Sequence, residues 1–322
     1  MTKIKTAVIG AAGYTGGELL RILVHHPNCE LVYVHSNSQK GKKVEEVHPD
    51  LIGDCDLIFT DEVSTSGIEA VFLGLPHGQT KAFLEENPFP ESTVIIDLST
   101  DFRDESNGFI YGLPEVNAEK IKSAKKIANP GCFATGIQLA LAPAIAAGLA
   151  KDAIHITGIT GSTGAGKKLA ETSHFSYRSS NMSVYKLFTH QHLKEIGQTF
   201  RQLNADFDSQ MLFTPYRGNF PRGIWVTAYL PFEGTIEEAR KIYQEFYQDA
   251  VFTHVSDQDI DMKQAVNTNK CIVFIQKEAG QLVIYSAIDN LLKGASGQAV
   301  HNFNLAFGLE EKAGLNLKSI AF

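Results

Sequence analysis

Short apolar runs separated by polar or amphipathic stretches dominate the first 130 residues of the chain. Residues 6–9, 31–34, 71–75 and 94–97 have the length and near-continuous apolar character of strands buried on both faces of a parallel sheet. The run at 6–9 leads into glycine-rich residues 10–17. Residues 18–25 follow, where Leu19, Leu20, Ile22 and Leu23 mark one apolar helical face. This order of strand, turn and helix predicts a doubly wound α/β domain of the Rossmann type. Residues 132–147, rich in Ala, Leu and Ile, read as a buried helix despite Pro143. From His155 onward the pattern changes to longer, more alternating runs at 155–160, 211–215, 224–229, 271–276 and 282–288, with a helix expected over 236–247. These fit a mixed or antiparallel sheet in a second, α+β domain. Residues 294–308 look helical and are expected to return to the first domain. The expected division is therefore 1–131 with 293–322 as one domain, and 132–292 as the other. The polar run 173–183 reads as a mobile loop.

Composition narrows the partners. The 322 residues, 43% hydrophobic, suffice for two ordinary cores. The net charge is −7 and lysines and arginines are dispersed, so no footprint for nucleic acid or anionic lipid is expected, and a small-molecule substrate is. No apolar stretch approaches the ~18 residues of a membrane helix, and none resembles a signal peptide, so cytoplasmic residence is expected. Cys29, Cys55, Cys132 and Cys271 lie far apart, without the pairing of a zinc ribbon, redox dithiol or disulfide framework.

The candidate chemistry lies at three places. Gly10, Ala12, Gly13, Tyr14, Thr15 and Gly16 belong to a G-x-x-G-x-x-G turn between the first strand and first helix, where backbone amides and a helix N-terminus suit a pyrophosphate. The second strand ends in His35-Ser36-Asn37-Ser38, not in the acid that binds an unphosphorylated ribose. The hydroxyls of Ser36 and Ser38, followed by Lys40, Lys42 and Lys43, favour NADPH, with a solvated basic loop as the alternative. Residues 161–168 nearly match the phosphate loop of nucleotide triphosphatases but carry Lys168 where Ser or Thr would hold magnesium, leaving either a substrate-phosphate cradle with Lys167 and Lys168 or a plain turn. Finally, Cys132 follows Gly131 at an expected helix start, where backbone amides and the helix dipole activate a thiol. His192 and Glu195, three apart on one helical face, read as an acid/base and its orienting carboxylate. A surface histidine pair is the alternative. A metal on His190 and His192 lacks further ligands at suitable spacing, so no metal site is expected.

Together these segments resemble one family over nearly the whole chain. Gly-Ala-Ala-Gly-Tyr-Thr-Gly at 10–16, Leu-Pro-His-Gly at 75–78, Asp97-Leu98-Ser99 through Arg103, Tyr111-Gly112-Leu113-Pro114-Glu115 and Asn129-Pro130-Gly131-Cys132 occur in order. Residues 161–167, His190-x-His192 with Glu195, Pro221-Arg222-Gly223, Asp289-Asn290-Leu291 and residues 293–299 follow. The chain thus resembles the N-acetyl-γ-glutamyl-phosphate reductases of arginine biosynthesis, relatives of aspartate-semialdehyde dehydrogenase. The resemblance implies an acyl-enzyme on Cys132, acid/base catalysis by His192 and support from Glu195. It further implies a substrate site using Ser99, Arg103, Asn129 and Arg222, and a nicotinamide near Asn290 and Gly294, with Gly161 and Gly164 on the cofactor side. It also implies a homo-oligomer, dimer or tetramer. Phe133, Lys167, Gln191 and His301 depart mildly from the family pattern. Residues 216–220 depart more, leaving recognition of the substrate's acyl-amino end open.

The implied reaction is NADPH-dependent reduction of N-acetyl-γ-glutamyl phosphate to the semialdehyde through a Cys132 thioester. The alternatives are the same chemistry on N-succinyl-glutamyl, N-acetyl-aminoadipyl or aspartyl phosphate, and a non-catalytic NADP(H)-binding regulator on the same fold.

Overall fold

The computed structural model describes residues 3–320. The chain divides into two units, Met1–Pro130 with Ala295–Asn316, and Gly131–Gly294 with Leu317–Phe322. The first is built on seven strands, β1 (Ile4–Ile9), β2 (Cys29–His35), β3 (Phe59–Thr60), β4 (Ala70–Leu73), β5 (Val94–Asp97), β6 (Ile110–Tyr111) and β7 (Lys126–Ala128). All pair in parallel, in the order β3-β2-β1-β4-β5-β7-β6. From β1 the chain builds outward to β3 and then crosses back to β4, so the C-terminal ends of β1 and β4 flank the topological switch point where such sheets bind ligands. Strands β4 and β5 are buried at every position, as an all-parallel sheet covered on both faces requires.

Helices α1 (Tyr14–Leu23), α2 (Val44–Val47), α3 (Thr80–Glu86) and α4 (Pro114–Lys122) connect the strands. Leu19, Leu20, Ile22 and Leu23 are the buried face of α1, as their spacing predicts. The helix Gly297–Ala306 completes this unit, packing on α1, α4 and β5. Its Asn304 Oδ1 lies 3.0 Å from His26 Nε2, and Asn302 donates to the Gly112 carbonyl (2.9 Å).

The second unit holds α5 (Cys132–Ala146), β8 (Ile154–Thr160), α6 (Phe175–Arg178), β9 (Ser183–Val184), α7 (His192–Leu203), β10 (Met211–Arg217), β11 (Ile224–Pro231), α8 (Ile236–Phe246), β12 (Thr253–Ser256), β13 (Cys271–Glu278) and β14 (Gln281–Ile288). Its sheet runs β12-β13-β14-β11-β8-β10-β9. The sheet is mixed: β8 and β10, and β12 and β13, pair in parallel, while the other neighbours are antiparallel. Helix α5 is buried from Phe133 to Ile145 and packs against the sheet, α7 and α8.

Pro143 inside α5 has no N–H to give the Leu139 carbonyl, four residues back. The Tyr247 hydroxyl donates to that carbonyl instead (2.6 Å), and Tyr243 donates to the Ala140 carbonyl beside it (2.8 Å). The helix is uninterrupted because a neighbouring segment supplies the missing donor.

Three expectations change. The returning segment is shorter than 293–322. Gly294 N–H donates to the Asp289 carbonyl (2.9 Å) and Asn267 donates to the Lys318 carbonyl (2.9 Å), which hold both ends of that stretch in the second unit. The expected helix over 294–308 is a π-helical turn, Leu292–Ser296, followed by an α-helix. Residues 173–183, expected as a mobile loop, wrap the buried Arg178, whose guanidinium donates to the carbonyls of Thr172, Asn181 and Arg217 and to the Ser183 hydroxyl. Among the described residues no helix is long and apolar enough to cross a membrane.

Candidate active site

Cys132 is the first residue of α5, half-buried, behind the N-cap Gly131, which has extended backbone and no side-chain cap. The helix start therefore points backbone N–H groups and the positive end of its dipole at the thiol. Thr135 closes the turn from below, its N–H and hydroxyl both donating to the Gly131 carbonyl (2.8 and 3.1 Å). Gly294 borders the same residue. A Cβ there would lie 2.9 Å from Cys132 Cβ, so only glycine leaves this space beside the thiol. The resemblance places Gly294 with the nicotinamide; its contacts place it against the cysteine.

His192 and Glu195 open α7 and are buried, at 6% and 5% exposure, which removes the surface-pair alternative. One carboxylate oxygen of Glu195 accepts the Gly131 N–H (3.0 Å), and the other lies 3.9 Å from His192 Nε2. A single carboxylate thus lies between the N–H of the residue preceding Cys132, which it accepts, and the His192 imidazole. Gln138 holds this arrangement by donating to the Glu195 carbonyl (3.2 Å) and the Thr199 hydroxyl (2.9 Å).

His190 packs edge-on against Phe133, Tyr185, Phe213 and His192, with ring centroids 5.6, 5.7, 5.5 and 4.6 Å away. Its Nδ1 accepts the His192 N–H (3.3 Å). Burial, aided by Lys186, pushes its pKa down to about 4, so it is a neutral spacer that seats His192. Tyr185, unnoticed in the sequence, joins the same cluster. Burial and the proximity of Cys132 push its hydroxyl up to about 12. Only the chain's folding back along β10 reveals it. The remaining cysteines have no such setting, and burial raises Cys29 to about 11.

The glycine-rich turn of the first unit fits a pyrophosphate. Gly10 has φ +76° and a Cβ there would lie 2.5 Å from the Gly74 carbonyl oxygen, while one at Gly16 would lie 2.5 Å from Ala11 Cα. Gly13 is the uncapped N-cap of α1. The three glycines of the unusual spacing serve the tight turn, the open helix start and close packing. The Ser296 hydroxyl donates to the Thr15 carbonyl (2.8 Å) and pins the turn. At the end of β2 the Ser36 and Ser38 hydroxyls lie 3.4 Å apart. The three lysines expected at a 2′-phosphate are engaged: Lys40 with Asp61 (2.9 Å), Lys42 with Gln39 (3.0 Å) and Lys43 with Glu45 (3.5 Å).

Several polar residues expected at the ligands also hold loops. Ser99 is fully buried, donating to Asp97 (2.7 Å) and accepting the Asp101 N–H (3.1 Å). Arg103 donates to the carbonyls of Asn129 (3.0 Å) and Leu98 (3.1 Å), and Asn129 donates to that of Ala295 (3.0 Å). Arg222 makes a two-pronged pair with the buried Asp289 (3.0 and 3.1 Å), which also accepts the N–H groups of Asn267, Leu291 and Leu292. Asn290 accepts the Gly223 N–H (2.7 Å) and donates to Thr163 (3.0 Å). The amides of Gly161, Ser162 and Thr163 donate to the carbonyls of Gly223, Phe220 and Pro221, and that of Gly164 to Gly161. The amides of residues 161–164 are thus spent on the turn itself, which leaves any phosphate contact of this loop to Lys167, Lys168 and the amides that follow. Among the described residues no three His, Cys, Asp or Glu side chains converge to hold a metal ion.

Comparison with known proteins agrees with this layout. Residues 5–124 match the NAD binding domain of semialdehyde dehydrogenases and residues 132–290 their dimerisation domain. N-acetyl-gamma-glutamyl-phosphate reductase from Christiangramia forsetii is 55% identical over 318 residues, covering 98% of this chain and 99% of the relative. The protein of that name from Bacteroides fragilis is 51% identical over 321 residues, covering 99% and 100%. The fold is shared with aspartate semialdehyde dehydrogenase II from Vibrio cholerae, at TM-score 0.76 and 16% identity over 96% of this chain and 99% of that one. With its two domains and full-length relatives accounted for, the chain belongs to the N-acetyl-γ-glutamyl-phosphate reductases of the semialdehyde dehydrogenase family and is an oxidoreductase.

Proposed function

We propose that the enzyme reduces N-acetyl-γ-glutamyl phosphate to N-acetylglutamate semialdehyde and phosphate, as a step of arginine biosynthesis, through a thioester on Cys132. The observation that carries this reading is the single carboxylate of Glu195 joining Gly131, at the nucleophile's helix start, to His192. Cys132 attacks the γ-carbonyl carbon, the C–O bond to phosphate breaks, and phosphate leaves. The N–H groups at the start of α5 stabilise the oxyanion formed on attack. Bound NADPH would supply the hydride that reduces the thioester; Gly10, Gly13 and Gly16 with Ala12, Tyr14 and Thr15 would hold its pyrophosphate, and Ser36 and Ser38 its ribose phosphate. The end of β2 at Ser36 and Ser38, in place of the acid that would bind an unphosphorylated ribose, supports the phosphorylated cofactor over NADH. His192 holds and returns the proton of the hemithioacetal oxygen as the aldehyde forms and the Cys132 thiolate departs, while Glu195 orients its ring.

A homo-oligomer is supported by the sheet face of the second unit away from α5. Tyr229 stacks on His155 (4.9 Å) and is 38% exposed, and Trp225 and Phe274 flank Tyr285 (5.8 and 6.0 Å). The exposed Tyr229 and the half-covered Trp225 and Tyr285 on this face suit contact with a second copy.

The test follows NADPH formation from N-acetylglutamate semialdehyde, phosphate and NADP⁺. Wild type is expected to turn over. Cys132→Ala should lose activity by a factor on the order of 10³ or more, and His192→Asn by about 10²–10⁴. Full activity of Cys132→Ala would refute the thioester, and binding of NADPH without turnover of any acyl substrate would favour a regulator.

A further inference from the structure

Side chains alternate across β10, so Phe213, Pro215 and Arg217 share one face. Phe213 and Pro215 are buried, and Phe213 packs against Phe133 (5.1 Å) and His190 (5.5 Å), beside the nucleophile's helix. The same alternation puts Arg217 on the active-site side of the sheet. Its guanidinium lies over the ring of Tyr185, 5.0 Å from the centroid. Tyr185 is held by donating its N–H to the Pro215 carbonyl (3.1 Å) and meets His190, which meets His192. A continuous row of rings therefore runs from the catalytic histidine to a guanidinium.

The neighbouring arginines are committed to protein acceptors, Arg178 to three carbonyls and a hydroxyl, and Arg222 to Asp289. Arg217 differs. Its Nε is buried and has no hydrogen-bond partner among the described residues. A buried guanidinium N–H without an acceptor carries a desolvation penalty, and its planar fork matches a carboxylate. Arg217 also lies within residues 216–220, the stretch where the chain departs from its family pattern.

We propose that Arg217, supported by Tyr185, anchors a carboxylate of the substrate and thereby sets which acyl phosphates the enzyme accepts. The inference rests on the reductase reading above. Two carboxylates carry this chemistry, the α-carboxylate of the glutamyl group and a terminal carboxylate on a dicarboxylic acyl group such as succinyl.

The test is steady-state kinetics of wild type, Arg217→Met and Arg217→Lys with NADP⁺, phosphate and either N-acetyl- or N-succinyl-glutamate semialdehyde. Arg217→Met should raise KM roughly 30–100-fold with kcat changed by less than about threefold, and Arg217→Lys should recover part of the loss. An equal penalty on both substrates identifies the α-carboxylate. A penalty confined to the N-succinyl substrate, which wild type would then prefer, identifies the acyl carboxylate. Unchanged KM for both, or a loss borne by kcat without rescue by lysine, overturns the anchor. If wild type turns over neither substrate, the reductase reading falls. Calorimetric binding of N-acetylglutamate and N-succinylglutamate then decides separately: weaker binding by folded Arg217→Met supports the anchor and equal binding refutes it.

Discussion

His190 is the residue whose environment most changes its chemistry. Enclosed by Phe133, Tyr185 and Phe213, it uses Nδ1 to accept the His192 N–H, and its pKa falls to about 4. The unfolded chain binds a proton near pH 6.5 that the folded chain refuses until about pH 4. Stability from this group is therefore complete above pH 6.5 and is lost as pH falls through that window, by at most about 3 kcal/mol. Urea midpoints measured from pH 7 to 4.5 should fall more steeply for wild type than for His190→Gln. Parallel curves would place the acid sensitivity elsewhere, for instance at His26 and His35, which burial also lowers. The spacing of His190, His192 and Glu195 was legible in the sequence. Which histidine is the neutral spacer was not, because that depends on Phe213 and Tyr185 arriving from other elements.

At the scale of elements, α5 shows how a helix tolerates a helix breaker. Pro143 leaves the Leu139 carbonyl without its backbone donor, and the Tyr247 hydroxyl replaces it. Tyr247→Phe should destabilise the protein by about 1–3 kcal/mol, the cost of a buried carbonyl left without a partner. In a Pro143→Ala background the restored N–H can serve that carbonyl, so the cost of Tyr247→Phe should shrink. A double-mutant cycle in denaturant measures the coupling, and an identical cost in both backgrounds would disprove the compensation. The buried character of α5 and the proline were both visible in the chain. The compensating tyrosine, at a sequence separation of 108, was not.

At the scale of the whole molecule, the open aromatic face of the second sheet is expected to be covered by a second copy. Light scattering at micromolar concentration should give wild type a mass at least twice that of the chain. Trp225→Glu with Tyr229→Glu should reduce it to the monomer, since two charges buried in such a contact are costly. A monomeric wild type would refute the interface.

The sequence by itself determined what depends on neighbours along the chain. Gly10, Gly13 and Gly16 specify a turn and a helix start, Gly131-Cys132 a thiol at another helix start, and alternation of apolar residues the two kinds of sheet. Tertiary structure decided which protein groups the polar side chains and amides meet. Arg222 is claimed by Asp289, 67 positions away, the amides of residues 161–163 are claimed by residues 220–223, and Ser99 turns inward to Asp97. Arg217 keeps an unclaimed N–H. A hydrogen bond saturates a donor wherever its acceptor lies in the chain, so the identity of a residue sets what it can bind, and only the fold sets whether it is still available to do so.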